Sequence, residues 1–305
     1  MLELRNDRLR AIFDTRGARL QALFIDGVDV VQGNALDFDF ATADPYAGAL
    51  AGRYAGRISN AQFPLDGKIV KVIPNMGDFQ LHGGPDNFAL REWNVEADDY
   101  SIWFTLHSPD GDQGFPGAMD ATAIYKLDGN ALSLEIEATT TKPTIVNLTN
   151  HAYWNMAGGG SVLENELQIN ASAYLPLNEA LLPSGEIRNV EGSRWDFRKL
   201  HKIVEGYDNC FCLDGPRGTM KHGLTLRDPK TGRTMEVWTT ECAIQMYTAI
   251  RWDGTVPAKS GSLQPSQGFA IEPQNYPDAP NHANFPSAVL RPGETYKNKM
   301  EWRFL

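Results

Sequence analysis

Leu132-Ser133-Leu134-Glu135-Ile136-Glu137-Ala138 alternates apolar and polar side chains without a slip. Successive side chains of a strand point to opposite faces, so this stretch predicts a strand with one buried face. The same period recurs on both sides of it. Upstream, Ile69-Val70-Lys71-Val72-Ile73 and Ser101-Ile102-Trp103-Phe104-Thr105-Leu106 are β-branched or aromatic runs of strand length. Downstream, residues 235–240 and 243–248 continue the pattern, and Trp302-Arg303-Phe304-Leu305 predicts a short closing strand. Turn chemistry separates the runs. Leu65-Asp66-Gly67-Lys68 and Leu127-Asp128-Gly129-Asn130 carry Asp-Gly hairpin signals, and Arg291-Pro292-Gly293-Glu294 suits a type II turn. No long segment has an apolar stripe at helical spacing. Many short strands with frequent turns predict an all-β fold, and at this length a large antiparallel β-sandwich. There is no linker, repeat or low-complexity tract, so residues 1–305 read as a single domain.

Composition narrows the functional classes. The chain is 42% hydrophobic and 22% charged, as a globular core requires, and is long enough to bury one without covalent staples. A net charge of -10 repels phosphate backbones, so no nucleic-acid partner is expected. Cys210, Cys212 and Cys242 are too few and too odd for a disulfide framework. Cys210 and Cys212 share a strand face; they read as small core residues more readily than as a metal pair, and no C-x-x-C or H-x-x-x-H spacing supports zinc. The charged first residues lack the apolar core of a signal peptide, and no run of eighteen apolar residues occurs. The expectation is a cytoplasmic protein without a membrane partner. No motif speaks to oligomeric state.

Six segments break the strand rhythm with polar residues and glycine, the composition of functional loops on a rigid scaffold. Gly52-Arg53-Tyr54-Ala55-Gly56-Arg57 offers an arginine fork for hydroxyls or a carboxylate, though a turn arginine reads the same way. Leu81-His82-Gly83-Gly84-Pro85 presents a histidine at a tight turn. Residues 108–117 (SPDGDQGFPG) read as a rigid loop, a wall or lid; Asp110 and Asp112 lack the remaining ligands of a calcium loop. In Asn147-Leu148-Thr149-Asn150-His151-Ala152-Tyr153-Trp154-Asn155, amides stand in position to orient His151, or form a buried network of their own. Gly206-Tyr207-Asp208-Asn209 supplies a charged acceptor or an Asx turn. In residues 271–282 (IEPQNYPDAPNH), Glu272 follows an apolar run, where partial burial raises a carboxyl pKa toward that of a general base. Asp278 and His282 are its rivals. Nucleotide-loop, nucleophile-elbow and H-E-x-x-H patterns are absent, so neither cofactor nor metal is expected.

In their order, these segments resemble the aldose 1-epimerase family: GRYAGRI, LHGGP, SPDGDQGFPG, NLTNHAYWN, YLPLNEALLPSGEI, GYDN, QMYT, IEPQNYPDAPNHANFPS and LRPGETY span nearly the whole chain. The resemblance implies a β-sandwich with an open cleft and a free monosaccharide as substrate. It implies His151 as general acid, Glu272 as general base and His82 as a second active-site histidine near the ring oxygen. It also implies Arg57, Asp208 and Gln245 as contacts to sugar hydroxyls. Gly56 departs from the family, many of whose members carry Asn before the arginine.

The implied reaction is interconversion of sugar anomers. The C1 hydroxyl must lose a proton while the ring oxygen gains one, which calls for a base and an acid on roughly opposite sides of the C1–O5 unit. A non-catalytic sugar-binding module is one alternative, and would not need both Glu272 and His151. An epimerase of phosphorylated hexoses is another, and would need a basic cluster for which Arg53 and Arg57 are the candidates.

Overall fold

The protein is described from a computed structural model, which defines residues 2–39, 42–259 and 261–305. Its largest sheet has nine strands in the order Asn94–Ala97, Ser101–Ser108, Met119–Asp128, Ala131–Thr140, Tyr296–Phe304, Thr234–Thr239, Lys221–Arg227, Glu166–Ile169 and His201–Lys202. A second sheet has seven: Arg188–Asn189, Ala173–Leu175, Asp208–Cys212, Ala243–Tyr247, Phe269–Gln274, Tyr153–Trp154 and Val31–Gln32. An amino-terminal sheet of four strands, Leu2–Arg5, Leu9–Asp14, Arg19–Ile25 and Val28–Asp29, packs on the same core. The ladders are antiparallel. Helical structure among the described residues is confined to three-residue 3₁₀ turns. No helix is long and apolar enough to cross a membrane. The protein is therefore the all-β antiparallel sandwich that the period-two pattern predicts.

The opening stretch lies in Ala131–Thr140, at the centre of the large sheet. Leu132, Leu134 and Ile136 are fully buried, and they pair with Trp302, Met300 and Asn298 of the last strand. Trp302 meets Trp154 of the seven-stranded sheet at 5.4 Å between ring centroids. That contact closes the sandwich. Phe211, Ile244, Met246, Phe269 and Ile271 of the smaller sheet join the same apolar cluster. Each such side chain contributes roughly 1.5–3 kcal/mol by leaving water.

Local chemistry sets the turns. Asp66 and Gly67 both have positive φ, 48° and 76°, as a two-residue I′ hairpin requires. The second hairpin is displaced by one residue from its Asp-Gly signal. Asp128 pairs with Ala131, so the loop is Gly129-Asn130, with glycine at the first central position and φ 54°. In the third turn Glu294 N–H donates to Arg291 C=O at 3.0 Å, with Gly293 at φ 87°. Two strand predictions shift. The 69–73 run pairs only over Lys68–Lys71, because Val72 and Ile73 donate instead to Ala61 and Gln113. The closing strand is longer than 302–305 and starts at Tyr296. Asn298 hid it, being a polar residue at an inward position. It is buried, and its amide donates to Leu148 C=O and Pro273 C=O, both at 2.9 Å.

Candidate active site

Four neighbouring strands of the seven-stranded sheet build one wall of a cleft. Gln245 stands opposite Glu272, Tyr247 opposite both Asp208 and Ala270, and Ala270 opposite Tyr153. Directly paired residues project to the same face, and so do residues two apart. Asp208, Gln245, Tyr247, Glu272, Gln274 and Tyr153 therefore share the face turned away from the core. Irregular segments supply the rest. Gly56 and Arg57 lie at the start of the two-residue ladder between Arg57–Ile58 and Gln80–Leu81, and His82 follows that ladder's other strand. His151 precedes Tyr153–Trp154, its backbone held by His151 N–H to Ala49 C=O at 2.8 Å and Gly48 N–H to His151 C=O at 3.0 Å.

The cleft has a volume of about 180 Å³, the scale of one sugar ring rather than a polymer. All six residues expected at the site line it: Arg57, His82, His151, Asp208, Gln245 and Glu272. His151 Nε2 lies 3.6 Å from Glu272 Oε1, and both side chains are buried. The residues expected as acid and base thus sit side by side, not across a ring from each other. The correction is chemically harmless: O1 and O5 are both bonded to C1, so two adjacent groups reach both oxygens. His151 Nδ1 and Glu272 Oε2 are buried without a hydrogen-bond partner among the described residues.

Electrostatics separate the roles. Burial raises the Glu272 carboxyl above its ordinary 4.5; the His151 charge and Arg57 oppose the shift, and Asp208 adds to it. Burial, with His151 and Arg57 nearby, holds His82 well below 6.5 and therefore neutral. Gly56 N–H donates to His82 Nδ1 at 3.2 Å, and His82 N–H returns a bond to Gly56 C=O at 3.0 Å. A neutral ring that accepts at Nδ1 carries its proton on Nε2. Arg57 lies 3.6 Å from Asp208 Oδ2, and Gln245 Nε2 donates to Asp208 Oδ1 at 2.8 Å. These three form a connected set of donors and acceptors on the cleft wall.

His82, His151 and Glu272 place one ligand atom each within 4.8 Å of one another, a donor set of metal-site composition. The His82 tautomer works against that use. With the proton on Nε2 and Nδ1 occupied by the Gly56 amide, the ring has no free lone pair to give a cation.

Several expectations resolve as scaffold. Asn147, Asn150 and Asn155 do not orient the His151 ring. Their amides donate to Ala55 C=O, Gly48 C=O, Gly160 C=O and Gln267 C=O, satisfying backbone around the strand end. His151 is instead fixed by rings: Tyr153 at 5.0 Å, His82 at 5.2 Å and Tyr46 at 5.9 Å. Arg53 is buried under the 108–117 loop, donating to Ser108 Oγ and to the carbonyls of Ser108, Pro109 and Gly117 at 2.8–2.9 Å. That loop does not line the cleft, so it is neither wall nor lid. Asp112 there pairs with Arg91 at 2.6 Å, and Asp110 accepts from Gly117 N–H. Asp278 and His282 face each other at 3.5 Å outside the cleft, where Asp278 also accepts from Ser59 N–H at 3.0 Å. The three cysteines are buried together beside Tyr276 and Phe285, as core residues.

Tyr46, Gln274 and Arg251 also line the cleft and were missed. Gln274 was legible as the next residue on the face of Glu272. Tyr46 and Arg251 lie in irregular segments that carry no period. Asp44 fixes both segments: its carboxylate accepts from Tyr46 N–H, Ala47 N–H and Trp252 Nε1–H at 2.9–3.2 Å.

Fold and cleft together define an acid/base site for a small hydroxylated ring on an antiparallel β-sandwich. Comparison with known proteins makes this specific. The family profile for aldose 1-epimerase matches residues 1–303. The bovine (Bos taurus) galactose mutarotase is 37% identical over 99% of this chain and 93% of its own. The aldose 1-epimerase of Escherichia coli K12 is 38% identical over 85% of this chain and 80% of its own. The crystal structure of a GalM/aldose epimerase homologue from C. elegans superposes with a TM-score of 0.93 at 29% identity, covering 100% of this chain and 98% of the other. The chain belongs to the aldose 1-epimerase family.

Proposed function

We propose that this protein is an aldose 1-epimerase, an isomerase that interconverts the α and β anomers of a free monosaccharide, and that residues 1–305 act as one domain. The observation that carries the mechanism is the buried 3.6 Å approach of His151 Nε2 to Glu272 Oε1.

The Glu272 carboxylate takes the proton of the C1 hydroxyl. The C1–O5 bond breaks, its electron pair goes to O5, and His151 as imidazolium gives O5 a proton. C1 becomes an aldehyde carbon. Rotation about C1–C2 presents its other face, and reclosure with the proton transfers reversed gives the opposite anomer. A carboxyl raised by burial is a stronger base than an ordinary one, and His151 and Arg57 beside it favour its charged form. His82 stays neutral and offers Nε2–H to the ring as a hydrogen-bond donor. Arg57, Asp208 and Gln245 hold the hydroxyls, so that the ring opens and recloses in one orientation. Each positioned proton-transfer group contributes roughly 10²–10⁴-fold.

The test is anomer exchange followed by polarimetry or saturation-transfer NMR. Glu272→Gln and His151→Asn should each lose most of the rate while remaining folded. Full activity in either variant would remove that residue from its role, and saturable sugar binding without exchange would favour the binding-module alternative.

A further inference from the structure

Seventeen arginines occur in the chain. Sixteen have a guanidinium engaged by protein: in ion pairs, as Arg57 with Asp208, or by carbonyls, as Arg16, Arg19, Arg53 and Arg233. Arg251 is the exception among the described residues. It forms no ion pair or side-chain hydrogen bond, yet it lines the cleft and is exposed at its mouth.

Its position is not that of a loose surface arginine. Its backbone N–H donates to Tyr247 Oη at 3.1 Å, and Tyr247 itself lines the cleft. The next residue, Trp252, is buried, donates to Asp44 at 2.9 Å and packs on Tyr153 at 4.4 Å. A cation is thus carried to the rim on an anchored segment and left unspent.

The cleft has a direction. Glu272 and His151 lie buried at its floor, so C1 and O5 of a bound sugar go inward, and other substituents of the ring face the rim. The carboxylate nearest the hydroxyl contacts, Asp208, is already matched by Arg57. An anionic substituent entering there meets the free guanidinium of Arg251; of the carboxylates nearby, Asp44 is occupied by Tyr46 N–H, Ala47 N–H and Trp252 Nε1–H, and Asp253 by Thr255 N–H and Oγ1–H. Gly56, without a side chain, leaves the adjoining wall unencumbered.

We infer that the substrates of this enzyme include aldoses bearing an anionic group, a carboxylate or a phosphate, which Arg251 receives at the mouth of the cleft. The inference rests on the mutarotase reading. A planar guanidinium binds either anion through paired N–H donors, so the chemistry is shared and the experiment separates the two.

Anomer exchange is measured by saturation-transfer NMR, corrected for the spontaneous rate of each sugar, on glucose, galactose, their uronic acids and glucose 6-phosphate. The readout is the ratio of kcat/KM for each charged sugar to that of its neutral parent. The expected ratio is about ten or more for the uronates, the phosphate or both, since a charge-assisted contact confers roughly that factor. Arg251→Gln should bring it down at least about tenfold, Arg251→Lys less, and added salt should lower it in the parent enzyme. Ratios at or below one in the parent enzyme, or unchanged in Arg251→Gln, overturn the inference and leave the mutarotase reading standing. Exchange of none of the sugars overturns both.

Discussion

The two faces of the seven-stranded sheet are built from the same strands by alternate residues, and they do opposite work. Trp154, Ile244, Met246, Phe269 and Ile271 form the core face, nearly or fully buried and apolar. Tyr153, Gln245, Tyr247, Glu272 and Gln274 form the cleft face. Ile271 and Glu272 are neighbours in sequence, both with negligible exposure, yet one leaves water gladly and the other at a cost. Burial alone therefore does not mark a residue as structural. What distinguishes the faces is the kind of group left unpartnered: on the core face an indole N–H, Trp154 Nε1, and on the cleft face a carboxyl oxygen, Glu272 Oε2, and an amide, Gln274 Nε2.

The largest effect expected is on the cleft face. Glu272→Gln should lower the exchange rate by about 10²–10⁴-fold. It should also raise Tm at neutral pH. The folded protein holds the Glu272 proton more tightly than the unfolded chain does, because burial raises its pKa above 4.5. The stability this group contributes is complete below that value and is lost as pH rises through the native pKa. An amide escapes that loss. The same shift sets the acid limb of the pH–rate profile above the ordinary glutamate range. On the core face, Ile271→Ala should cost about 2–5 kcal/mol in urea unfolding and leave kcat/KM of the folded fraction nearly unchanged. If Glu272→Gln unfolds as easily as Ile271→Ala, the distinction between the faces fails.

Arg53 and Arg57 repeat the contrast on a loop. They are the same residue type four positions apart. Arg53 is spent on carbonyls, Arg57 on the cleft. Arg53→Ala takes the guanidinium from the Ser108 and Gly117 carbonyls and Ser108 Oγ, while Pro109 C=O keeps Asp112 N–H, and should cost about 3–4 kcal/mol of stability. Arg57→Ala should change Tm little and lower kcat/KM roughly 10–100-fold, mostly through KM. Circular dichroism melting and exchange kinetics on the same two samples check both halves.

These pairs also show how far the sequence reached. Alternation was enough to find the strands and the sandwich, because a half-buried strand imposes period two on its side chains. It also placed Glu272 at the end of an apolar run. It did not separate Arg53 from Arg57, since the carbonyls that claim Arg53 lie 55 to 64 residues away along the chain. The asparagines around His151 misled for a related reason. Most of the carbonyls and side chains their amides reach, those of Ala55, Gly48, Gln267, Gln274 and Tyr125, are brought in from other segments, which a local reading does not see. The resemblance to a family supplied what local physics could not: which of several polar loops converge. Arg251 and Tyr46 escaped both readings, because their place in the cleft depends on Asp44 holding two irregular segments.

Gly56 gives the smallest effect and the finest division between scaffold and site. Its φ of 82° lies in the left-handed region, and a Cβ there would meet Pro277 Cβ at 3.1 Å. Alanine at this position pays for the conformation and the contact together, about 1–2 kcal/mol. Asparagine adopts left-handed backbone more readily, so Gly56→Asn should cost less than Gly56→Ala in the same unfolding assay. The backbone bonds to His82 run in both directions from this residue, so a backbone that relaxes in the alanine variant also loosens the His82 tautomer. The alanine variant should then lose more rate than the asparagine variant, by about the factor its extra strain implies. Equal stability and equal rates for the two would show that the left-handed turn, and not the clasp on His82, is the dispensable part of the site.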